Sequence, residues 1–183
     1  SKFSNCKAIV RYGAGYNNID TQVAKKKKIK VFNVPEYGSN EVADFAISMS
    51  MSFLKNLNLF YFNILNENKS NFWKYDSGHI YKRLSKVNVG VVGLGKIGKA
   101  YAKKMYSLGT KIFFYDPYVK EYNKKFKKLK SLEKIFEFCD VVSLHVPSTK
   151  KTRFFITSTQ LKNSKNNIIL INTARGDLIK ERT

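Results

Sequence analysis

No stretch of this chain is apolar for 18 residues, which argues against a membrane-spanning helix. Cysteine is scarce: Cys6 and Cys139 lie far apart, each beside an apolar run. A disulfide scaffold needs more cysteines in a shorter chain, and a zinc site needs closer His/Cys spacing. The pair therefore reads as two reduced core thiols in a cytoplasmic protein, with no metal site. Arginine is scarce too. Of 34 basic residues only five are Arg (Arg11, Arg83, Arg153, Arg175 and Arg182), although the net charge is +21. Nucleic-acid surfaces favour Arg as well as Lys, and here the lysines are spread along the chain without interleaved stacking aromatics. The excess reads as a solvated lysine-rich surface with a mild pull on anionic ligands, not as a nucleic-acid surface. Internal repeats are missing. So are a starting Met and a signal-peptide layout at Ser1, and the chain stops at Thr183 directly after an apolar strand. Both ends read as cut.

What is present suits one good-sized core: 183 residues, 43% of them apolar and 26% charged. Residues 7–10 read as a short buried strand ending at the turn Gly13-Ala14-Gly15. A helix over 21–26, capped by Asp20 or Thr21, and a strand over 29–34 closed by Pro35 complete a unit too small to be a domain. Next the spacing predicts a long helix from Ser39 or Asn40, with an apolar stripe of Val42, Phe45, Ala46, Met49 and Phe53. Its end is blurred by Asn-rich sequence over 56–71, and residues 72–86 look like a connecting loop. From Val87 the pattern becomes regular. Strands over 87–93, 111–116, 141–146 and 167–172 alternate with helices over 96–108, 131–138 and about 157–161, the first with Ile97, Tyr101, Met105 and Leu108 on one face. Continuously apolar strands alternating with helices indicate an α/β fold, a Rossmann-type doubly wound parallel sheet covered on both faces.

The strongest motif is Gly93-Leu94-Gly95-Lys96-Ile97-Gly98, which sits where an apolar strand ends and an amphipathic helix opens. The first Gly permits the tight turn, the second lets backbone approach a pyrophosphate, and the third lets helix pack closely on strand. Helix N-terminal amides then face the phosphates. Asp116, 18 residues beyond Gly98 at the end of the next strand, is placed to accept hydrogen bonds from the adenosine ribose. A 2′-phosphate would meet its negative charge, and Pro117-Tyr118 offer no Arg, so NAD is expected over NADP; a turn-capping Asp is the alternative. Arg175 follows the buried strand in Asn172-Thr173-Ala174-Arg175-Gly176, at an end that lines the ligand crevice of a parallel sheet. Its planar fork suits a carboxylate or a carbonyl gaining charge, or else a surface salt bridge.

Five motifs in this order resemble the D-isomer-specific 2-hydroxyacid dehydrogenases: residues 11–20, Asn33-Val34-Pro35 with Glu41-Val42-Ala43-Asp44, Gly93–Gly98 with Asp116-Pro117, His145-Val146-Pro147, and Asn172–Gly176. Within that family the phosphoglycerate, glycerate and hydroxypyruvate enzymes and the C-terminal-binding protein branch are most similar. The resemblance implies that residues 1–35 are the tail of a flavodoxin-like substrate domain and that 36–183 form an NAD-binding domain. It implies that Arg175 is the catalytic Arg, also touching cofactor, and that Gly13, Ala14 and Gly15 approach a 2-hydroxy or 2-keto acid substrate. Pro117, His145, Val146, Pro147, Thr152, Thr173 and Ala174 then line the nucleotide pocket with the Gly loop and Asp116. The long helix would join a homodimer interface. The family's proton-donating His and its partner Glu lie downstream of the Arg175 motif, so this fragment alone is expected to be inactive. Two other readings stay open: an NAD-sensing protein of the C-terminal-binding type, and an inactive relic.

Overall fold

The computed structural model describes residues 5–16, 18–66 and 82–180. Two compact units divide the chain, Ser1–Glu41 and Val42–Thr183. The first carries β1 (Ala8–Arg11), α1 (Thr21–Lys26) and β2 (Lys30–Asn33), with β1 and β2 parallel and Ala8 opposite Lys30. Asp20, not Thr21, is the cap: its Oδ1 accepts the Val23 amide hydrogen at 2.9 Å.

The predicted long helix is present as α2 (Ser39–Leu54), but its buried face differs from the expected stripe. Ala43, Ala46 and Ser50 are buried, while Phe45 and Phe53 are 63% and 48% exposed. Periodicity groups residues on one face without saying which face meets the core. Here the small residues do so, because they let the large Tyr101 side chain approach. Asn56 then takes φ of 51°, a left-handed position that Asn tolerates, and a second helix follows that the sequence reading did not separate, α3 (Leu57–Asn66). Residues 72–81 of the expected connecting loop lie outside the described residues; Leu84–Lys86 form one 3₁₀ turn.

The main sheet contains β3 (Asn88–Val92), β4 (Lys111–Tyr115), β5 (Lys127–Lys128), β6 (Val141–Leu144) and β7 (Ile169–Asn172). All pairings are parallel, in the order β5-β4-β3-β6-β7. Helices α4 (Lys96–Ser107), α5 (Leu132–Phe138) and α6 (Ser158–Lys162) connect the strands, and the 3₁₀ turn Gly176–Leu178 follows β7. Strand side chains alternate between faces. Val89 and Val91 pack with Ala43, Ala46, Tyr101 and Met105, whereas Val92, Val142 and Leu144 pack with Ile135 and Phe136 of α5. This is the doubly wound α/β arrangement, with one core on each side of the sheet. On α4 the buried set is Gly98, Tyr101, Ala102 and Met105. Leu108, expected on that face, is exposed just past the helix.

Gly90 keeps α5 close to the sheet, since a Cβ there would lie 2.7 Å from Ile135 Cγ2 and 2.9 Å from Cys139 Sγ. Burial pushes the Cys139 thiol up to about 12, as befits an inert core thiol. Cys6 is only half-buried, so just one of the two expected core thiols is in a core. At the amino end of the sheet Asp140 accepts hydrogen bonds from the Asn88 amide, Lys82 Nζ and Lys165 Nζ, each at 2.8 Å. Burial alone would raise its pKa, but these three donors outweigh it and hold the carboxyl below its ordinary value.

Candidate functional site

Because every strand of the main sheet points the same way, the residues after β3, β4, β6 and β7 share one edge. After β3 the chain builds outward through β4 to β5, then crosses back to β6. The reversal leaves a crevice between the carboxyl ends of β3 and β6. The Gly93–Gly98 loop, Asp116, His145–Pro147 and Thr173–Arg175 all follow strands at that edge.

Two of the three loop glycines have a steric reason within the fold. Gly93 takes φ of 89°, and a Cβ would meet Val146 Cγ1 at 2.6 Å and the His145 carbonyl oxygen at 2.7 Å. At Gly98 a Cβ would stand 2.0 Å from the Gly93 carbonyl oxygen, so only hydrogen lets the first turn of α4 rest on the loop. Gly95 differs: its backbone is ordinary and nothing lies within 4 Å of where its Cβ would be. Gly95 is also the N-cap of α4 and supplies no side-chain cap, so open space stands over the positive end of a 12-residue helix. Lys96 and Ile97 form its first turn.

Asp116 binds the loop directly. Its Oδ2 accepts the Leu94 amide hydrogen at 2.8 Å, and Oδ1 accepts those of Tyr118 at 2.9 Å and Val119 at 3.2 Å. The turn-capping alternative is thus part of what Asp116 does, with Pro117 inside the turn it caps. Oδ2 keeps a lone pair for a further donor.

After β6, the His145 amide donates to the Val92 carbonyl at 2.8 Å, so His145, Val146 and Pro147 start beside the Gly loop. Thr152 lies further on, and its hydroxyl donates to the Pro147 carbonyl at 2.6 Å while accepting the Thr149 amide hydrogen at 2.8 Å. Those bonds give Thr152 a loop-shaping part. After β7, the Thr173 hydroxyl oxygen is buried without a hydrogen-bond partner. The Asn172 side chain braces the next turn, donating to the Arg175 carbonyl at 2.8 Å and accepting the Ala174 amide hydrogen at 3.1 Å. Arg175 is exposed, and its Nη1 donates to the Ala174 carbonyl at 2.8 Å.

Gly13, Ala14 and Gly15 belong to the first unit. Gly13 is buried with φ of 150°, and the Arg11 guanidinium occupies the place of a Cβ. The Gly13 carbonyl accepts the Val34 amide hydrogen at 3.3 Å, and Asn33 Nδ2 donates to the Ala14 carbonyl at 2.9 Å.

Comparison with known proteins agrees with this geometry. The family model of the D-isomer specific 2-hydroxyacid dehydrogenase NAD binding domain matches residues 47–183. The chain belongs to this family. The 2-hydroxyacid dehydrogenase A of Aspergillus oryzae is 36% identical over 96% of the chain and 49% of that relative. The hydroxypyruvate reductase of Thermotoga maritima is 34% identical over 97% of the chain and 56% of that relative. Among solved structures, the D-lactate dehydrogenase of Aquifex aeolicus, complexed with NAD and lactic acid, superposes with a TM-score of 0.83. It is 32% identical over 95% of the chain and 51% of that protein. The chain therefore spans about half the length of the relatives it matches.

One feature of this NAD-binding domain escaped the sequence reading. His145 is half-buried, its Nε2 stands 2.9 Å from Ser143 Oγ, and its ring packs on Tyr101 with centroids 5.0 Å apart. Burial pulls its pKa down to about 4. An unfolded chain takes up that proton near pH 6.5. Above that pH both states are neutral, and as pH falls from about 6.5 to 4 only the unfolded state gains a proton. His145 should therefore subtract roughly 2–3 kcal/mol of stability across that window. Urea unfolding at pH 7 and pH 4 should give a smaller acid loss for His145→Gln than for the parent; equal losses would refute the assignment.

Proposed function

We propose that this chain is the NAD-binding part of a cytoplasmic dehydrogenase that interconverts a 2-keto acid and a D-2-hydroxy acid, of the phosphoglycerate or hydroxypyruvate kind. The observation that carries the reading is the open space around a Cβ position at Gly95, the N-cap of α4, together with the Asp116 carboxylate that holds the preceding Leu94 amide. A pyrophosphate fits the first and a ribose hydroxyl the second. The unpartnered Thr173 hydroxyl supplies one more buried polar atom for a ligand at this edge. NAD when bound supplies or accepts the hydride. The chain's part is to hold and orient: backbone amides of residues 93–98 face the phosphates, Asp116 takes the ribose, and residues 145–147, 173 and 174 wall the pocket. Arg175 grips the substrate carboxylate and stabilises the oxygen gaining charge at C2. Gly13, Ala14 and Gly15 supply backbone to the substrate, in a first unit that is the tail of a substrate domain ending near residue 35. His145 is too weak a base to be the proton donor at neutral pH, so that duty falls to another group. A homodimer fits the same reading, because α2 and α3 leave Phe45, Phe53, Leu57, Tyr61, Ile64 and Leu65 exposed.

NADH titration followed by fluorescence tests the cofactor site. Gly95→Ala should leave thermal stability unchanged, since the methyl meets only open space, yet weaken NADH about tenfold or more by filling the pyrophosphate cradle. Unchanged affinity would sink the placement. Asp116→Ala should weaken NADH about tenfold and narrow its advantage over NADPH. It should also cost about 1–3 kcal/mol of stability, because the Leu94 amide loses its acceptor. An unchanged NADH/NADPH ratio would refute the ribose role.

A further inference from the structure

Ser148 and Asp177 lie at the crevice edge, half-buried, and neither the core nor the proposed reaction uses their side chains. They belong to the loops that follow β6 and β7, which run side by side with Ile156 opposite Ile179. Backbone bonds join the two loops. The Phe154 amide donates to the Asp177 carbonyl at 2.7 Å, Ile156 to Leu178 at 3.1 Å and Lys180 to Ile156 at 2.9 Å. Phe154 takes φ of 53°, a left-handed value that an aromatic residue rarely adopts and that persists only where neighbours over-determine it. Asp177 adds a side-chain tie. Its Oδ2 accepts the Ser148 hydroxyl hydrogen at 2.8 Å, and Arg153 Nε lies 3.9 Å from the same oxygen, a weak addition at that exposure. The tie thus links the residue after Pro147 to the second residue after Arg175. Asp177 is also the middle residue of the 3₁₀ turn Gly176–Leu178, of which Arg175 is the N-cap. The Arg175 carbonyl accepts the Leu178 amide hydrogen at 3.3 Å besides the bond from Asn172. A shift of Asp177 is therefore a shift of the turn that carries Arg175.

We propose that Asp177 is a positioning residue for Arg175, holding the turn that bears the guanidinium in place against the β6 loop, with Ser148 as its anchor there. The catalytic consequence rests on the role given to Arg175 above; the anchoring does not. A two-pronged grip on a carboxylate depends on alignment as well as charge. A misplacement of about 1 Å can lower a rate on the order of 100-fold. The Gly loop and Asp116, which hold the dinucleotide, do not touch this tie, so loosening it should act on the keto acid and spare the cofactor. A merely structural link would behave differently: its loss would loosen residues 145–147, 173 and 174 together and weaken NADH as well.

The test uses the full product of the coding region, with hydroxypyruvate as the 2-keto acid. Asp177→Ala should lower kcat/KM for hydroxypyruvate about 10- to 100-fold while the NADH Kd stays within about twofold of the parent. Ser148→Ala should lose kcat/KM in the same direction. The double variant should be no worse than Asp177→Ala, because both changes cut one tie. Asp177→Asn keeps an oxygen for the Ser148 hydroxyl and should recover most of the loss. An unchanged kcat/KM in Asp177→Ala overturns the proposal. So do fully additive losses, which would mean that the two residues act separately, and a parallel loss of NADH affinity, which would make the link structural only. Amide hydrogen exchange over residues 172–180 reads the anchor without turnover: it should quicken in both alanine variants, and unchanged exchange overturns the anchor whatever the kinetics show. Quickened exchange in variants of a parent that turns over no hydroxypyruvate would sink the reading of the reaction and leave the anchor standing.

Discussion

Gly98→Val should cost about 3–5 kcal/mol of stability, a large part of the 5–15 kcal/mol that a folded domain has. The reason is position. A Cβ at Gly98 would stand 2.0 Å from a backbone oxygen, that of Gly93, and 3.4 Å from Val91 Cγ1. Backbone cannot swing aside as the end of a long side chain can, so relief requires α4 to lift from the sheet. That lift would pull Tyr101, Ala102 and Met105 from the main core. For a unit of this size the melting temperature should fall by about 10 °C or more, and NADH binding should be lost with the loop geometry. Thermal unfolding by circular dichroism checks it, with Gly95→Ala as the control three residues away that should melt like the parent. A Gly98→Val protein melting within about 2 °C of the parent would mean that helix and strand are less closely docked than described.

The contrast between these glycines explains why this region could be read in advance. A residue type that geometry alone can dictate leaves a mark in sequence, and two such marks, Gly93 and Gly98, at fixed spacing between a strand and a helix are hard to mimic. The alternation from Val87 onward was legible for a similar reason: strands buried on both faces must be largely apolar, as β3 and β6 are apart from Asn88 and Ser143. What could not be read depends on partners distant in sequence. The choice of Ala43, Ala46 and Ser50 as the buried face of α2 is set by Tyr101, about fifty residues later. β5 is two exposed lysines that pair with β4 through backbone, with Lys127 Nζ over the Phe113 ring, so its sequence carries no apolar strand signal. The tie from Asp116 to the Leu94 amide was hidden as well, although both residues had been singled out, because spacing places a carboxylate without naming its partner. A Ser inside the apolar run Val141–Leu144 was the one available hint of the polar contact between Ser143 and His145.

Arg175→Ala should lower kcat/KM for reduction of a 2-keto acid by NADH about 100- to 1,000-fold, measured on the full product of the coding region. Its stability should change little, because the side chain is exposed and the turn is held by Asn172 through the Arg175 carbonyl and the Ala174 amide, which the variant keeps. NADH affinity should also survive in large part, since the loop, Asp116 and the pocket wall are untouched. The pattern separates three cases. Loss of turnover with NADH still bound identifies a substrate clamp acting on charge developed in the transition state. Loss of both assigns Arg175 chiefly to the cofactor. A parent that binds NADH, turns over no 2-keto acid and dimerises in response to the nucleotide would be an NAD sensor, and Arg175→Ala would leave that response intact. Arg175→Lys sharpens the first case: a lysine keeps the charge but loses the two-pronged grip on a carboxylate, so most of the loss should remain. Full recovery by Lys would show that charge alone matters at this position, and the bidentate grip would have to be abandoned.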